Sequence, residues 1–406
     1  RTPGKVRHGH TADVACDQYH RYEEDADLMV KLGVQAYRFS IAWPRIQPDG
    51  KGEWNQKVLD YYKRLSDSLL ERGIRPAVTL YHWDLPQTLE DEGGWPNRET
   101  AKRFGEYAAT VFEALSDRVS AWITLNEPWC SSILGYQDGH HAPGPTSRSE
   151  AYRAIHHLLL GHGLALRSFR DGGYEGSIGI TLNFSTPRPA TQRKEDVEAA
   201  DRGKDLQNRM FLDPLMGRGY PQRHLDAYPD VQMPVEAGDM ELVAGEIDFL
   251  GLNYYTEEVL EHDPNHPEGF RPVPQYQPVT EMEWPIVPEG LYRQLHWVNR
   301  ETGGKLPLYI TENGCAMPDT LSEDGLRCHD PGRIDYLREH FAACAQAIDD
   351  GVPLQGYYLW SFMDNFEWAY GYTKRFGIVY TDYVNQRRVP KDSFYFYREV
   401  IAGHES

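Results

Sequence analysis

The sequence predicts an α/β protein built as a (β/α)8 TIM barrel, and three observations lead to that prediction. Short apolar segments alternate with longer amphipathic segments, as parallel strands alternate with helices. Nearly every apolar segment ends in polar or aromatic residues. None is followed by a glycine-rich phosphate-binding motif, which disfavours a doubly wound nucleotide-binding sheet.

The elements follow in order along the 406 residues. The apolar runs predict strands at 36–43, 75–83, 119–123, 177–183, 247–255, 307–311 and 354–360. The amphipathic periodicity predicts helices at 17–32, 58–72, 98–116, 149–170, 194–225, 290–302, 333–349 and 391–401. The proline-rich stretch 262–289 lacks clear periodicity, so we expect an insertion there.

These runs amount to seven strands, whereas a closed barrel needs eight. The chain begins in turn-like sequence, at a point where a first strand should already have ended. We therefore expect residues 1–406 to form a single barrel domain that is incomplete at its N-terminus. A barrel without one strand has two unpaired edges, so we also expect a separate N-terminal segment to complete it.

Composition excludes several classes of function. The net charge is −19 and no stripe of basic residues occurs, which argues against nucleic-acid binding. No apolar run reaches transmembrane length, so we expect no membrane partner. The five cysteines are widely spaced and form no CxxC motif, which indicates a reducing, cytoplasmic location. No ligand motif accompanies the histidines, and we expect neither a metal nor a cofactor.

Two glutamates stand out, because each follows a buried strand where an ionisable group is costly. Glu127 follows the run 119–123 through Asn126, and Glu312 ends the run 307–311 in the same way. A lone glutamate here could simply cap the next helix. Two in matching positions favour an acid/base or acid/nucleophile pair.

Other strand ends carry amides, indoles and a histidine, and all of them should converge on the C-terminal face of the barrel. These residues are His82, Trp83, Asn253, Tyr255 and Trp360, with Arg38 inside the first predicted strand. Such a pocket, without a phosphate cradle, suits hydrolysis of a neutral polar substrate such as a glycoside.

Six motifs in this order resemble family 1 glycoside hydrolases, the β-glucosidase family, over nearly the whole chain. They are 37–41 (YRFSI), 81–86 (YHWDLP), 124–128 (TLNEP), 253–256 (NYYT), 310–314 (ITENG) and 360–368 (WSFMDNFEW). The resemblance implies a retaining double displacement with Glu127 as general acid/base and Glu312 as nucleophile. It implies that Arg38 and Tyr255 keep the nucleophile ionised, although a surface ion pair and a core tyrosine are the plain alternatives.

The same resemblance implies the substrate contacts. Asn126 corresponds to the donor to the sugar 2-hydroxyl, Trp360 to the platform under the ring, and Phe376 to a wall of the pocket. Trp284 corresponds to the aromatic residue on the leaving-group side. The other substrate-binding residues implied are His82, Trp83, Asn253, Glu367 and Trp368.

The implied reaction is hydrolysis of terminal non-reducing β-D-glucosyl residues, with β-fucosyl and β-galactosyl residues as further candidates. The expected substrates are small β-glucosides or cello-oligosaccharides. One departure is clear: the family's first-strand motif, whose glutamine holds two sugar hydroxyls, has no match here. Two alternatives remain open, namely a 6-phospho-β-glycosidase and a non-catalytic carbohydrate-binding protein on the same fold. Glu367 argues against the first and the retention of both carboxylates against the second.

Overall fold

The computed structural model describes residues 2–403, and its centre is a sheet of seven parallel strands. Neighbouring strands in the chain are also neighbours in the sheet, as in a barrel. The predicted seven-stranded, nearly closed barrel is confirmed. The strands are β1 (Ala36–Ser40), β2 (Arg75–Tyr81), β3 (Ala121–Asn126), β4 (Ser177–Asn183), β5 (Phe249–Asn253), β6 (Leu308–Asn313) and β7 (Leu354–Leu359).

Helices connect these strands. The longer ones are α1 (Gln18–Leu32), α2 (Gln56–Glu71), α3 (Arg98–Leu115), α4 (Arg148–Asp171), α5 (Lys194–Lys204), α6 (Pro288–Glu301), α7 (Pro331–Asp349) and α8 (Asp392–Gly403). Short α-helices lie at Trp43–Ile46, Gln87–Asp91, Met210–Leu215, Gln222–Asp226 and Asp239–Val243, with 3-10 turns at Arg7–Gly9 and Trp368–Tyr370. Two π-helical segments, Cys130–Gln137 and Asp205–Arg209, interrupt the pattern.

Helix α1 shows how the local sequence sets these elements. Ala26, Met29 and Leu32 recur every three residues and are buried. Gly33 ends the helix in the left-handed conformation, φ 85°, where its N–H reaches the carbonyls of Met29 and Val30. Glycine adopts that conformation without steric cost, so the chain turns directly into β1.

The register of the parallel strands brings their carboxyl ends to one edge of the sheet. Asn253 on β5 pairs with Glu312 on β6, and Asn126 on β3 pairs with Thr181 on β4. The polar residues at the strand ends therefore face one another on a single side of the barrel. This is the face on which barrel enzymes bind their substrates.

A gap separates β1 from β7, the two ends of the sheet. Among residues 2–403, no strand pairs with the outer edge of either. A cavity of about 420 Å³ fills the gap and is lined by both edges, including Tyr37, Phe39, Tyr357 and Leu359. The cavity extends to Arg38, so it opens into the polar end of the barrel.

The structure corrects three of the predicted elements. The first strand ends at Ser40 rather than at residue 43, because Pro44 suits the first turn of a helix and Trp43–Ile46 forms one. The predicted helix 194–225 is divided into four segments: Lys194–Lys204, Asp205–Arg209 and Met210–Leu215 follow one another directly, and residues 216–221 separate them from Gln222–Asp226. The insertion 262–289 contains a strand, Phe270–Pro272, which pairs with Val259–His262; that strand in turn pairs with Arg188–Pro189. The pairing with Arg188–Pro189 joins residues that are far apart in the chain, so the local periodicity of the insertion does not predict it.

The C-terminal region is tied to α1 by a buried ion pair. Both oxygens of Asp25 accept hydrogen bonds from Arg388, at 3.0 and 3.3 Å, and each side chain is 1% exposed. Arg388 begins the short strand Arg388–Pro390, which pairs antiparallel with the strand Val379–Thr381. The last short pair joins Thr320–Leu321 to Cys328–His329.

The five cysteines are free thiols. Within residues 2–403, no helix combines the length and the apolar character that crossing a bilayer requires.

Candidate active site

Glu127 stands immediately after β3 in a strained backbone conformation. Its φ is 46°, in the left-handed region that non-glycine residues seldom adopt. The conformation is held because the Glu127 N–H donates to the Thr181 carbonyl at 2.9 Å. The side chain is 5% exposed. Strain of this kind is concentrated at functional sites, where the surrounding structure holds a side chain in a required direction.

Both carboxyl oxygens of Glu127 have a donor. Nδ2 of Asn253 donates to Oε1 at 2.6 Å, and the thiol of Cys130 donates to Oε2 at 3.0 Å. Burial, and then the charge of Glu312, raises the pKa of Glu127 from 4.5 to about 7. Near neutral pH, Glu127 therefore holds a proton that it can transfer.

Glu312 lies in a different environment. Its Oε1 accepts a hydrogen bond from Nη1 of Arg38 at 2.6 Å, and its Oε2 accepts one from the Tyr255 hydroxyl at 2.7 Å. Burial and the neighbouring carboxylates raise the pKa of Tyr255 well above its usual value, so this phenol remains a donor. A cation bonds one oxygen and a neutral donor bonds the other, so both carboxyl oxygens of Glu312 are held in place.

Arg38 links the two halves of the site from the middle of β1. Its side chain is 7% exposed, so it does not form a surface ion pair. Nε donates to Thr79 on β2 at 3.1 Å, and Nη1 also donates to the Thr311 carbonyl at 3.0 Å. Nη2 donates to Oδ1 of Asn126 at 2.6 Å. Three strands therefore hold the guanidinium in one orientation beside Glu312.

Three neutral groups form a network between the carboxylates. Oδ1 of Asn126 accepts a second hydrogen bond, from Nδ2 of Asn253 at 3.2 Å. Nδ2 of Asn126 lies 3.2 Å from Nε2 of His82. Burial and the nearby Arg38 lower the pKa of His82 to about 3, so the imidazole is neutral. This network places amide and imidazole groups, suited to sugar hydroxyls, beside both glutamates.

Indole rings line one wall of the site. The ring centroid of Trp368 lies 5.0 Å from that of Trp83, and His82 stacks on Trp360 at 5.9 Å. Trp83 has a φ of 78°, and its Nε1 donates to the Asn126 carbonyl at 2.9 Å. Flat apolar faces of this kind suit the apolar face of a pyranose ring.

A second aromatic group surrounds Tyr255. Trp284 lies 5.3 Å from Tyr255 between ring centroids, and Phe376 lies 6.2 Å from Tyr255. Phe376 is 3% exposed and packs with Met282, so it is partly a core residue. Trp284 reaches the site although it comes from the proline-rich insertion.

A third carboxyl group, Glu367, belongs to the same site. Burial, then the charges of Glu312 and Glu127, raises the pKa of Glu367 to about 8. The structure thus brings together all of the side chains that the sequence analysis selected. Their catalytic and binding roles remain predictions.

Sequence reasoning did not select Cys130, Thr79 or Thr311, although each contacts a selected residue. The Thr311 hydroxyl donates to Oδ1 of Asn253 at 2.7 Å and so orients that amide. No local pattern marks Cys130, because its contact with Glu127 depends on the left-handed backbone of Glu127, which lies outside any helix. Among residues 2–403, no group of three or more His, Cys, Asp or Glu side chains is arranged to hold a metal.

Comparison with known proteins gives consistent matches across the chain. The family profile described as Glycosyl hydrolase family 1 matches residues 1–406. Beta-glucosidase A of Thermotoga maritima is 49% identical over 404 residues, which cover 99% of this chain and 90% of the relative. The bifunctional beta-D-glucosidase/beta-D-fucosidase of Bifidobacterium breve is 44% identical, with 99% and 91% covered.

Solved structures agree with these matches. The AHE enzyme of Alicyclobacillus herbarius superposes with a TM-score of 0.95 at 51% identity, covering 99% of this chain and 91% of that one. The Thermotoga maritima family 1 glycoside hydrolase complexed with a cyclophellitol analogue transition state mimic also has a TM-score of 0.95, at 48% identity, with 99% and 90% covered. The chain therefore belongs to glycosyl hydrolase family 1.

Proposed function

We propose that this protein is a retaining β-glycosidase that hydrolyses terminal, non-reducing β-D-glucosyl residues. The observation that carries the proposal is the contrast between two buried glutamates in one site. The pKa of Glu127 is raised to about 7, whereas both oxygens of Glu312 accept hydrogen bonds from Arg38 and Tyr255. One carboxyl group is thus suited to give a proton and the other to attack.

The reaction follows from these two environments. In the first step, Glu312 attacks the anomeric carbon while Glu127 donates its proton to the departing glycosidic oxygen. The bond to the leaving group breaks, and an ester bond forms between the sugar and Glu312. In the second step, Glu127 accepts a proton from water, which attacks the same carbon and releases Glu312. Two inversions leave the β configuration unchanged.

Arg38 and Tyr255 keep Glu312 ionised and oriented before it attacks. The neutral groups His82, Asn126 and Asn253 are the proposed partners of the sugar hydroxyls, together with Glu367 and the indoles Trp83, Trp360 and Trp368. Trp284 and Phe376 form the proposed aromatic side of the pocket. The relative from Bifidobacterium breve, named as both a β-glucosidase and a β-fucosidase, supports a glycone range that includes β-fucosides. We include β-galactosides and short cello-oligosaccharides among the substrates to be tested.

A panel of nitrophenyl glycosides, with cellobiose and a 6-phosphoglucoside, tests the function. We expect turnover of the β-glucoside, no turnover of the α-glucoside, and β-glucose as the first product in a proton NMR time course. Glu312→Ala should abolish hydrolysis, whereas azide should restore turnover of an activated glucoside by Glu127→Gly. Preference for the 6-phosphoglucoside would favour the phospho-glycosidase alternative. A folded wild-type protein that binds glucosides without turnover would favour the non-catalytic one.

We also propose that an additional extended segment, N-terminal to β1, occupies the gap between β1 and β7. The unpaired edges of both strands and the 420 Å³ cavity between them support this proposal. The intact mass and N-terminal sequence of the purified active protein test it. A fully active monomer without any added segment would contradict it.

The location is proposed to be cytoplasmic, because the five cysteines are free thiols. Separation of cell fractions, followed by an activity assay of each, tests the location. Activity found mainly outside the cell would contradict the proposal.

A further inference from the structure

Cys130 is a buried thiol in contact with the acid/base candidate. It begins the π-helical segment Cys130–Gln137, which directly follows the strained turn at Glu127. Its side chain is 5% exposed, and Sγ lies 3.0 Å from Oε2 of Glu127. Apart from Asn253, Cys130 is the only group among residues 2–403 for which a hydrogen bond to the Glu127 carboxyl is present.

A second contact orients the thiol. Nδ2 of Asn183, at the end of β4, lies 3.7 Å from Sγ and donates to the sulfur. The Asn183 carbonyl in turn accepts a hydrogen bond from Nε2 of Gln207 at 3.4 Å. Because an amide N–H already approaches one side of the sulfur, the S–H bond is left to point at Oε2. The three groups form a directed chain from Asn183 through Cys130 to Glu127.

We propose that Cys130 is a positioning residue for the reaction, which holds Oε2 of Glu127 and stabilises the ionised form of that carboxyl group. The inference rests on the proposed function. The ionised form arises when Glu127 has given its proton to the leaving group, and it must persist until water arrives. Cys130 donates a hydrogen bond throughout and transfers no proton. Burial and the adjacent Glu127 carboxylate raise the pKa of the thiol well above its usual value, which keeps the S–H intact.

Several other groups act on the charge of Glu127. Asn253 donates to its Oε1, while the charges near it come from three different parts of the barrel. These are Arg38 on β1, Glu312 on β6 and Glu367 before the turn Trp368–Tyr370, with the Tyr255 phenol after β5. Substitution of Cys130 leaves all of them in place. A change in the pKa of Glu127 in such a variant therefore measures the effect of the Cys130 thiol on that carboxyl group.

The test is the pH dependence of kcat/KM for nitrophenyl β-glucoside in Cys130→Ala, Cys130→Val and Cys130→Ser. Loss of a donor to the carboxylate raises the pKa of Glu127. The basic limb of the profile, which reports the protonated acid, should then move up by about 0.5 to 1 pH unit in the Ala and Val variants. Serine keeps a donor, so its basic limb should lie at or below that of wild type. The acidic limb should not move in any of the three.

Ser132→Ala is the matched control. Ser132 lies in the same π-helical segment, and its hydroxyl donates to the Pro128 carbonyl at 2.7 Å and not to Glu127. We expect its profile to coincide with that of wild type. Basic limbs that coincide in wild type, Cys130→Ala and Cys130→Val would overturn the inference, as would an equal shift in Ser132→Ala.

The Ala and Val variants differ in volume, so a packing defect in one leaves the other informative. An inactive wild type would refute the proposed function instead, which separates the two failures.

Discussion

The charge of Glu312 should control the proton affinity of Glu127, and formation of the glycosyl-enzyme removes that charge. In retaining glycosidases the two carboxyl groups lie about 5 Å apart, where two charges at an effective dielectric constant of about 20 interact by about 3 kcal/mol, or about 2 pKa units. Burial is the larger cause of the rise of the Glu127 pKa from 4.5 to about 7. Since burial accounts for the larger part of this rise, we take about half of the Coulomb figure and expect esterification of Glu312 to lower the pKa of Glu127 by about 1 unit, to about 6.

The sign of the change has a functional consequence. In the free enzyme Glu127 must be protonated to act as an acid, so kcat/KM should fall as the pH rises through about 7. In the glycosyl-enzyme Glu127 must be ionised to act as a base. The lower pKa means that the same group is ready for its second role at the same pH.

A trapped intermediate makes the shift measurable. A 2-deoxy-2-fluoroglucoside with a good leaving group should accumulate as an ester of Glu312, visible as an increase in intact mass. The rate of reactivation in buffer, measured against pH, gives the pKa of the base in that state. We expect half-maximal reactivation about 1 pH unit below the basic limb of kcat/KM.

The control is the same ester formed in Glu127→Gly and released by azide, where this pH dependence should be absent. Half-maximal reactivation at or above the basic limb of kcat/KM would refute the reasoning. It would mean that burial alone, without the charge of Glu312, sets the pKa of Glu127.

The remaining predictions concern single contacts. Tyr255→Phe removes the donor to Oε2 of Glu312, and we expect kcat to fall by about 10- to 100-fold with KM little changed; a fall below threefold would contradict the role. Arg38→Met leaves the buried Glu312 without its cation, and we expect a loss of about 10²- to 10³-fold in kcat, checked against an unchanged circular dichroism spectrum. Asp25→Asn leaves Arg388 buried without its counter-ion, so the free energy of unfolding in urea should fall by about 3 kcal/mol with little change in kcat. An unchanged urea midpoint would show that the pair contributes no net stability.

The barrel was predictable because its parallel strands are buried on both faces and its helices are amphipathic. The apolar runs and the helical periodicity carry that information locally, so β4 was predicted with its exact bounds, 177–183. The elements that were missed depend on partners outside their own residues. The strand Phe270–Pro272 forms by pairing with Val259–His262. Trp43 was predicted to end the first strand, but it begins the short helix Trp43–Ile46 and stacks on Tyr107 of α3 at 5.0 Å between ring centroids.

The candidate site was predictable to a similar extent. Glu127 and Glu312 were identifiable as ionisable residues at the ends of apolar runs, and the motifs around them indicated their partners. Cys130 gave no comparable signal, because a cysteine after Asn-Glu-Pro-Trp reads as an ordinary buried residue. Its importance depends on the direction of Glu127, which a φ of 46° sets.

Local residue patterns were enough to predict the order of strands and helices, the family, and which two glutamates form the carboxyl pair. The tertiary structure alone decided how unlike those carboxyl groups are. Glu127 accepts hydrogen bonds from an amide and a thiol, whereas Glu312 accepts them from a guanidinium and a phenol. A pKa depends on burial and on charges brought close by folding, and residues 38, 127, 255 and 312 become neighbours only when the sheet curves into a barrel.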